Sequence, residues 1–84
     1  MIVIYTLVLY DIENNKIRNK ISNICKDYGL ERIQKSVFSG IMSKNLRESM
    51  TIELKTRLGK EVGDIRIMLV EEGAYEKTIK VINL

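Results

Sequence analysis

One carboxylate stands out among the residues that could carry chemistry. Asp11 directly follows the apolar run Ile2 to Tyr10, which predicts a buried β-strand that ends at a fixed place at the edge of a sheet. A carboxylate beside apolar neighbours needs hydrogen bonds, a counter-charge or a metal ion. Asp11 could equally cap the helix that follows it or pair with an arginine. It is therefore the first candidate for a functional site, with these alternatives open.

The composition restricts the chemistry. Histidine is absent, and cysteine occurs once, at Cys25. Ordinary zinc sites, an imidazole base and an intrachain disulfide are therefore excluded, and a metal ion would need oxygen ligands. Ser36 has no histidine to activate it, so a hydrolytic triad is not expected. Cys25 lies on the apolar face of a predicted helix, where a small core residue is the expected role.

Basic residues follow Asp11 closely. Lys16, Arg18 and Lys20 lie at the start of the first predicted helix, and Arg32 begins the next strand. Guanidinium groups match the geometry of phosphate, and cations at a helix start oppose its dipole, which favours a binding role. The net charge of +3 tolerates a polyanionic partner without requiring one. A solvated basic surface is the alternative.

Aromatic residues could stack on nucleic-acid bases, as they do in proteins that bind single strands. Tyr5 and Tyr10 lie on the first strand, where a core position is the usual role, above all for Tyr5. Phe38 stands beside Ser39-Gly40, a turn signal, and is expected to be the more exposed ring.

The positioning elements follow from the spacing of apolar residues. One helix runs from a cap at Asn14 or Asn15 to Gly29, and another runs from Ser43 or Asn45 to Gly59. Strands are expected for the opening run, for a hairpin between Leu30 and Met42 with its turn near Ser39-Gly40, for Ile65 to Val70 and for Thr78 to Leu84.

This order predicts an α+β protein with a ferredoxin-like β-α-β-β-α-β fold and an extra C-terminal strand, in one domain over residues 1–84. Both helices would cover one face of an antiparallel sheet. The first strand is apolar on both faces, so the uncovered face requires a partner. We therefore expect a homodimer packed sheet to sheet, in which residues 78–84 extend the partner's sheet.

The chain is expected to be cytoplasmic and without membrane contact. No basic segment precedes a cleavable apolar one, and the opening apolar run is about half the length of a membrane-spanning helix. Hydrophobic residues at 45% and charged residues at 30% are typical of a folded globular chain.

Three segments together resemble one known family. Tyr10-Asp11-Ile12 closes the first strand, and Arg18 lies on the first helix. The run that starts at Tyr28 reads Tyr-Gly-Leu-Glu-Arg-Ile-Gln-Lys-Ser-Val-Phe-Ser-Gly. Over essentially its whole length, the chain resembles the small CRISPR-associated protein of the spacer-acquisition pair, usually numbered two. A ferredoxin-like fold alone would imply no function.

The resemblance implies a homodimer in which Asp11 and its mate face each other and hold Mg²⁺ or Mn²⁺, with metal-dependent endonuclease cleavage of RNA or DNA. It implies Tyr10 as the neighbour of Asp11 in the catalytic site. The other site residues are nucleic-acid contacts and supporting residues: Arg18, Arg32, Lys16 and Lys20 for contacts, Ser36 and Phe38 for support. Lys20 stands where many relatives carry arginine, and Lys35 where an aromatic residue is common.

The resemblance also implies a protein partner, because the family bridges dimers of a larger integrase subunit while a short duplex lies across it. The implied role is spacer acquisition in antiviral defence. Two classes of function stay open, a magnesium-dependent endonuclease and a non-catalytic DNA-binding scaffold. A toxin-like ribonuclease of the same fold is a third.

Overall fold

The computed structural model describes residues 2–84. In chain order it contains strand β1 (Ile4–Ile12), helix α1 (Asn15–Asp27), strands β2 (Glu31–Gln34) and β3 (Val37–Ile41), helix α2 (Lys44–Leu58), strand β4 (Gly63–Glu71) and the short helix α3 (Glu72–Glu76). The predicted order β-α-β-β-α-β is confirmed. No helix within residues 2–84 combines the length and the apolarity needed to cross a bilayer.

The strands form one antiparallel sheet in the order β2-β3-β1-β4. Strand β1 is central, because it pairs with β3 over Tyr5–Leu9 and with β4 over Ile4–Ile12. Strand β4 therefore forms one edge of the sheet, and β2 forms the other. This topology confirms the predicted ferredoxin-like architecture.

Side-chain caps set the starts of the two long helices. Asn14 accepts a hydrogen bond from the backbone N–H of Ile17 at 3.1 Å, and Ser43 accepts one from Leu46 at 3.2 Å. Each bond satisfies an amide that has no partner inside the helix. Gly29 follows α1 with φ +83°, a left-handed conformation that costs glycine little. The predicted caps are therefore confirmed.

Both long helices cover the same face of the sheet, and the core lies between them. Its buried residues come from both layers: Val8, Tyr10, Ile12, Ile21, Ile24, Cys25, Leu30, Phe38, Met50 and Leu54. Cys25 is thus a core residue, as expected. Alternation along β1 sends Tyr5, Leu7, Leu9 and Asp11 to the opposite face, which we call the open face. Met68 of β4, opposite Leu7, lies on the open face and is 50% exposed.

Helix α3 covers one end of the open face. The ring of Tyr75 stacks on Tyr5 with centroids 4.0 Å apart, and its hydroxyl hydrogen-bonds Oγ of Ser39 at 2.8 Å. Tyr5, expected in the core, is therefore half-buried on the open face. The predicted strand Thr78–Leu84 is absent from the single chain, in which residues 78–84 form neither helix nor strand. Pairing with a partner's sheet needs a second chain and stays a prediction.

The hairpin turns earlier than the sequence predicts. Lys35 and Ser36 form the turn, and Ser39-Gly40 lies inside β3. Gly40 allows close packing instead, since a Cβ atom there would lie 2.9 Å from Cδ2 of Leu30, which would have to shift. The expectation that Phe38 is exposed is consequently wrong, because inside β3 its ring is fully buried under the helices.

Candidate metal and nucleic-acid site

Asp11 lies near the end of β1, with its side chain exposed on the open face. It does not cap α1, because Asn14 does so. It forms no salt bridge with any residue that the structure describes. Both alternatives to a functional role therefore fail within the single chain. The carboxylate is available to a cation or to a second molecule.

A second carboxylate lies directly across the sheet. Asp64 of β4 is the register partner of Asp11, so their side chains share the open face with Cβ atoms about 5 Å apart. Arg66 donates from Nε and Nη2 to the two oxygens of Asp64, at 3.1 and 3.2 Å. These hydrogen bonds lower the pKa of Asp64 and raise the pKa of Arg66. Neither residue was predicted from the sequence, since only the strand register places Asp64 and Arg66 beside Asp11.

Arg18 reaches back from α1 to the end of β1. Its Nη1 donates to the carbonyl oxygen of Ile12 at 3.3 Å, and its Nη2 donates to Oδ1 of Asn15. The guanidinium is therefore held at the residue after Asp11. Lys16 and Lys20 are exposed one turn apart on the same helix. The structure thus groups Arg18 with the strand end and leaves the two lysines in solvent.

Three of the candidate residues form a row on the covered face. The rings of Tyr10 and Phe38 stack with centroids 6.4 Å apart, and the guanidinium of Arg32 lies 5.1 Å from the Phe38 centroid. Nη2 of Arg32 also donates to Oγ of Ser22 at 2.6 Å. Neighbouring residues of a strand point to opposite sides, so Tyr10 faces away from Asp11. The structure does not bring this row onto the open face.

Ser36 contributes through its backbone. It lies in the turn between β2 and β3, and its carbonyl oxygen accepts a hydrogen bond from the amide of Tyr10 at 3.1 Å. This bond ties the turn to β1 at the residue before Asp11. Ser36 therefore supports the strand end that carries the carboxylate.

The oxygen donors at this strand end fit a divalent cation in part. Among residues 2–84, no three side chains of the ligating types Asp, Glu, Cys and His lie close enough together to hold a metal ion. One chain offers Asp11, together with Asp64, whose oxygens are engaged by Arg66. Magnesium commonly takes one or two carboxylates and keeps several waters. The residues therefore fit such an ion once a second copy of Asp11 is added.

The fold and the site define a class, a small α+β protein whose central strand carries an exposed carboxylate near its end, with an arginine beside it. Residues 3–78 match the model of the family described as CRISPR associated protein Cas2. The chain belongs to this family. The resemblance seen in the sequence is confirmed.

The chain is similar to curated and solved relatives. It is 44% identical over 62 residues to the CRISPR-associated endoribonuclease Cas2 of Desulforudis audaxviator, covering 74% of this chain and 58% of that protein. It is 33% identical over 81 residues to a CRISPR-associated endonuclease Cas1/endonuclease Cas2 fusion of Thermoproteus tenax, covering 92% of this chain and 29% of the fusion. The crystal structure of Streptococcus pyogenes Cas2 at pH 6.5 superimposes with a TM-score of 0.79 at 21% identity, covering 94% and 99% of the two chains. At this identity the structural likeness shows the fold alone.

Proposed function

We propose that this chain is the nucleic-acid-binding subunit of CRISPR spacer acquisition, a homodimeric, metal-dependent endonuclease-type protein that acts on RNA or DNA in antiviral defence. Membership of the Cas2 family supports the pathway, and the D. audaxviator relative is named an endoribonuclease. The observation that carries the proposal is the exposed carboxylate of Asp11, which has no salt-bridge partner within residues 2–84.

The open face supports the homodimer. Leu7 and Leu9 are partly exposed there, Met68 is half exposed, and β1 carries Asp11 to the end of the same face. A second copy packed sheet to sheet would bury these apolar side chains and bring a second Asp11 towards the first. Two carboxylates brought together repel unless they share a proton or a cation.

Asp11 and its mate are the proposed cation ligands. A bound Mg²⁺ or Mn²⁺ would polarise a phosphodiester and orient a water molecule. Arg18, tied to the carbonyl of Ile12, supplies a guanidinium for the phosphate next to Asp11. Lys16 and Lys20 add positive charge along α1, which raises the local concentration of a polyanion.

The row on the covered face has a bracing role in this proposal. Tyr10 and Phe38 stack inside the core, and Arg32 ties Phe38 to Ser22 of α1. The row fixes β1 against the helices, so that the core sets the position of Asp11. Arg32 uses Nη2 for Ser22, and its other guanidinium nitrogens are the proposed phosphate donors.

The proposed protein partner is the larger integrase subunit, Cas1. The T. tenax relative is named a Cas1/Cas2 fusion. Residues 78–84 are exposed and carry apolar side chains at Ile79, Val81 and Ile82. This segment and the unpaired edge of β4 are the surfaces that we propose for assembly.

A non-catalytic DNA-binding scaffold is the second candidate. It is favoured because the single chain offers few metal ligands: its described residues contain no group of three metal-ligating side chains. As a scaffold, the protein would bind phosphates through its basic residues without cleavage, and binding would weaken as salt rises. Membership of the Cas2 family counts against a toxin-like ribonuclease.

The substitution Asp11→Asn tests the enzyme proposal. It removes the charge and keeps the size of the side chain, so cleavage in Mg²⁺ or Mn²⁺ should fall at least about 100-fold. The measurement is the initial rate on labelled RNA, single-stranded DNA and duplex DNA. Glu48→Gln is the matched control, because Glu48 is an exposed carboxylate on α2, away from the end of β1; it should cleave like the wild type.

The outcomes separate the two candidates. Cleavage that persists in Asp11→Asn, or in the presence of excess chelator, would exclude a metal-dependent endonuclease with Asp11 as its metal ligand. Wild-type protein that binds duplex DNA in a salt-sensitive manner and cleaves no substrate would establish the scaffold instead.

A further inference from the structure

Arg66 affects how many carboxylates at the end of the open face are available to a cation. Asp11 and Asp64 are direct cross-strand partners, and opposite carboxylates on a sheet destabilise each other. Arg66 lies on the same face of β4, since it is two residues beyond Asp64. The salt bridge between Arg66 and Asp64 is formed within a single chain.

The salt bridge makes the two carboxylates different: both oxygens of Asp64 accept hydrogen bonds from Arg66, whereas Asp11 has no salt-bridge partner within residues 2–84. Nε and Nη2 of Arg66 bond to separate oxygens of Asp64, at 3.1 and 3.2 Å. A planar guanidinium can make this bidentate contact with a carboxylate, and an ammonium group cannot. In the single chain the side chains of Arg66 and Asp64 are 75% and 49% exposed, so the core does not bury the pair.

We propose that Arg66 is a positioning residue that withholds Asp64 from the cation, so that Asp11 is the one available carboxylate of this cross-strand pair in each chain. The inference rests on the proposed function, because it concerns the ion that Asp11 and its mate would hold. It adds a residue pair, Asp64 and Arg66, that determines how many carboxylates surround that ion.

The number of available carboxylates has a chemical consequence. A dimer with both arginines in place offers two carboxylates and leaves the remaining positions of the ion to water and phosphate oxygens, which suits magnesium and an anionic substrate. Without the arginines, four carboxylates would compete for the ion. More carboxylates bind a divalent cation more tightly and repel phosphate more strongly.

The test is Mn²⁺ binding to the full chain, measured by calorimetry and by water-proton relaxation, without any nuclease assay. Arg66→Gln frees Asp64 and should tighten Mn²⁺ binding roughly tenfold. Arg66→Lys keeps the charge but holds one oxygen at most, so its affinity should lie between those of the wild type and Arg66→Gln. Adding Asp64→Asn to Arg66→Gln should restore the wild-type affinity.

The controls separate this inference from the function on which it rests. Arg57→Gln removes an equal charge from an exposed position of α2 and should leave Mn²⁺ affinity unchanged. If Asp11→Asn binds Mn²⁺ like the wild type, the proposed metal site itself fails. If Asp11→Asn loses binding but Arg66→Gln binds like the wild type or more weakly, only the role of Arg66 fails. Wild-type affinity in Arg66→Lys with tighter binding in Arg66→Gln would show that charge alone acts, which also overturns the inference.

Discussion

Asp11 and Tyr10 are adjacent in the sequence, yet they act on opposite sides of the sheet. Tyr10 is 6% exposed and stacks on Phe38, whereas Asp11 is exposed on the open face. One residue fixes the strand in the core and the next carries the charge. The alternation of a strand predicts this division from the sequence. The family resemblance implies both residues for the catalytic site and does not distinguish the proposed metal ligand, Asp11, from the core residue that holds the strand in place, Tyr10.

The buried thiol of Cys25 predicts how the stability of the protein depends on pH. Burial raises the pKa of its thiol from the ordinary 9.0 to about 11. The folded chain therefore holds the proton that the unfolded chain releases above pH 9.0, so the contribution of Cys25 to stability is complete below pH 9.0 and declines between 9.0 and 11. The difference in free energy of unfolding between the wild type and Cys25→Ala should narrow over this range.

Thiol labelling gives an independent check. At pH 8 a disulfide reagent should modify Cys25 only as fast as the protein opens, and at full speed in urea. Rapid labelling of the native protein would contradict its burial. A stability difference that stays constant up to pH 11 would contradict the raised pKa.

The residues of the site were predictable from the sequence to different degrees. Asp11 and Arg18 lie close in the chain, and a strand followed by a helix is enough to place them together. Asp64 and Arg66 form the opposite case, because the pairing of β4 with β1 joins distant parts of the chain. Register between such strands depends on which faces are buried, and the sequence of β4 alone does not specify its partner.

At the scale of elements, α3 determines where the end of the chain goes. Strand β4 ends beside the start of β1, and Glu72 N–H continues the pairing by donating to the carbonyl of Val3 at 2.8 Å. Tyr75 then contacts Tyr5 of β1 and Ser39 of β3. The chain is thereby directed over the open face, the surface on which a second copy would pack.

Substitution of Tyr75 tests the docking of α3. Tyr75→Phe keeps the stacked ring and loses the hydrogen bond to Ser39, so it should lower the free energy of unfolding by about 1 kcal/mol. Tyr75→Ala also loses the ring stack and should cost about 2 kcal/mol. Urea unfolding at one fixed protein concentration measures both, since the stability of a dimer depends on concentration.

A double-substitution cycle completes this test. Ser39→Ala removes the other partner of the hydrogen bond, so its effect and that of Tyr75→Phe should not add. Additive effects, or a Tyr75→Ala protein as stable as the wild type, would show that α3 does not dock on the open face in solution.

Local sequence patterns predicted some of the helices and strands correctly and others wrongly. The two long helices were predicted with their caps, because the signals are local in the sequence. These signals are the apolar periodicity, the capping residues Asn14 and Ser43, and the glycine that follows each helix. The hairpin turn was misplaced because Ser39-Gly40 resembles a turn signal in the sequence, whereas Gly40 lies inside β3 and packs closely against Leu30. Helix α3 was missed because a tertiary contact, that of Tyr75, holds a helix too short to be stable alone.

At the scale of the whole molecule, the central strand carries apolar side chains on both faces of the sheet, and the two long helices cover one of these faces. The two-sided apolarity of β1 was evident in the sequence, and it predicted an open face that the structure contains. The same sequence could not show that Asp64 and Arg66 lie on that face beside Asp11. The open face therefore joins the proposed dimer surface and the proposed site.

A crystal structure of the protein grown with Mn²⁺ tests the central claim, that two copies of Asp11 meet to hold a divalent cation. We expect a dimer with its open faces in contact and anomalous signal from one manganese ion between the two Asp11 carboxylates, with metal–oxygen distances of roughly 2.1 Å. A monomer, or a dimer whose Asp11 carboxylates lie too far apart to share the ion, would contradict it.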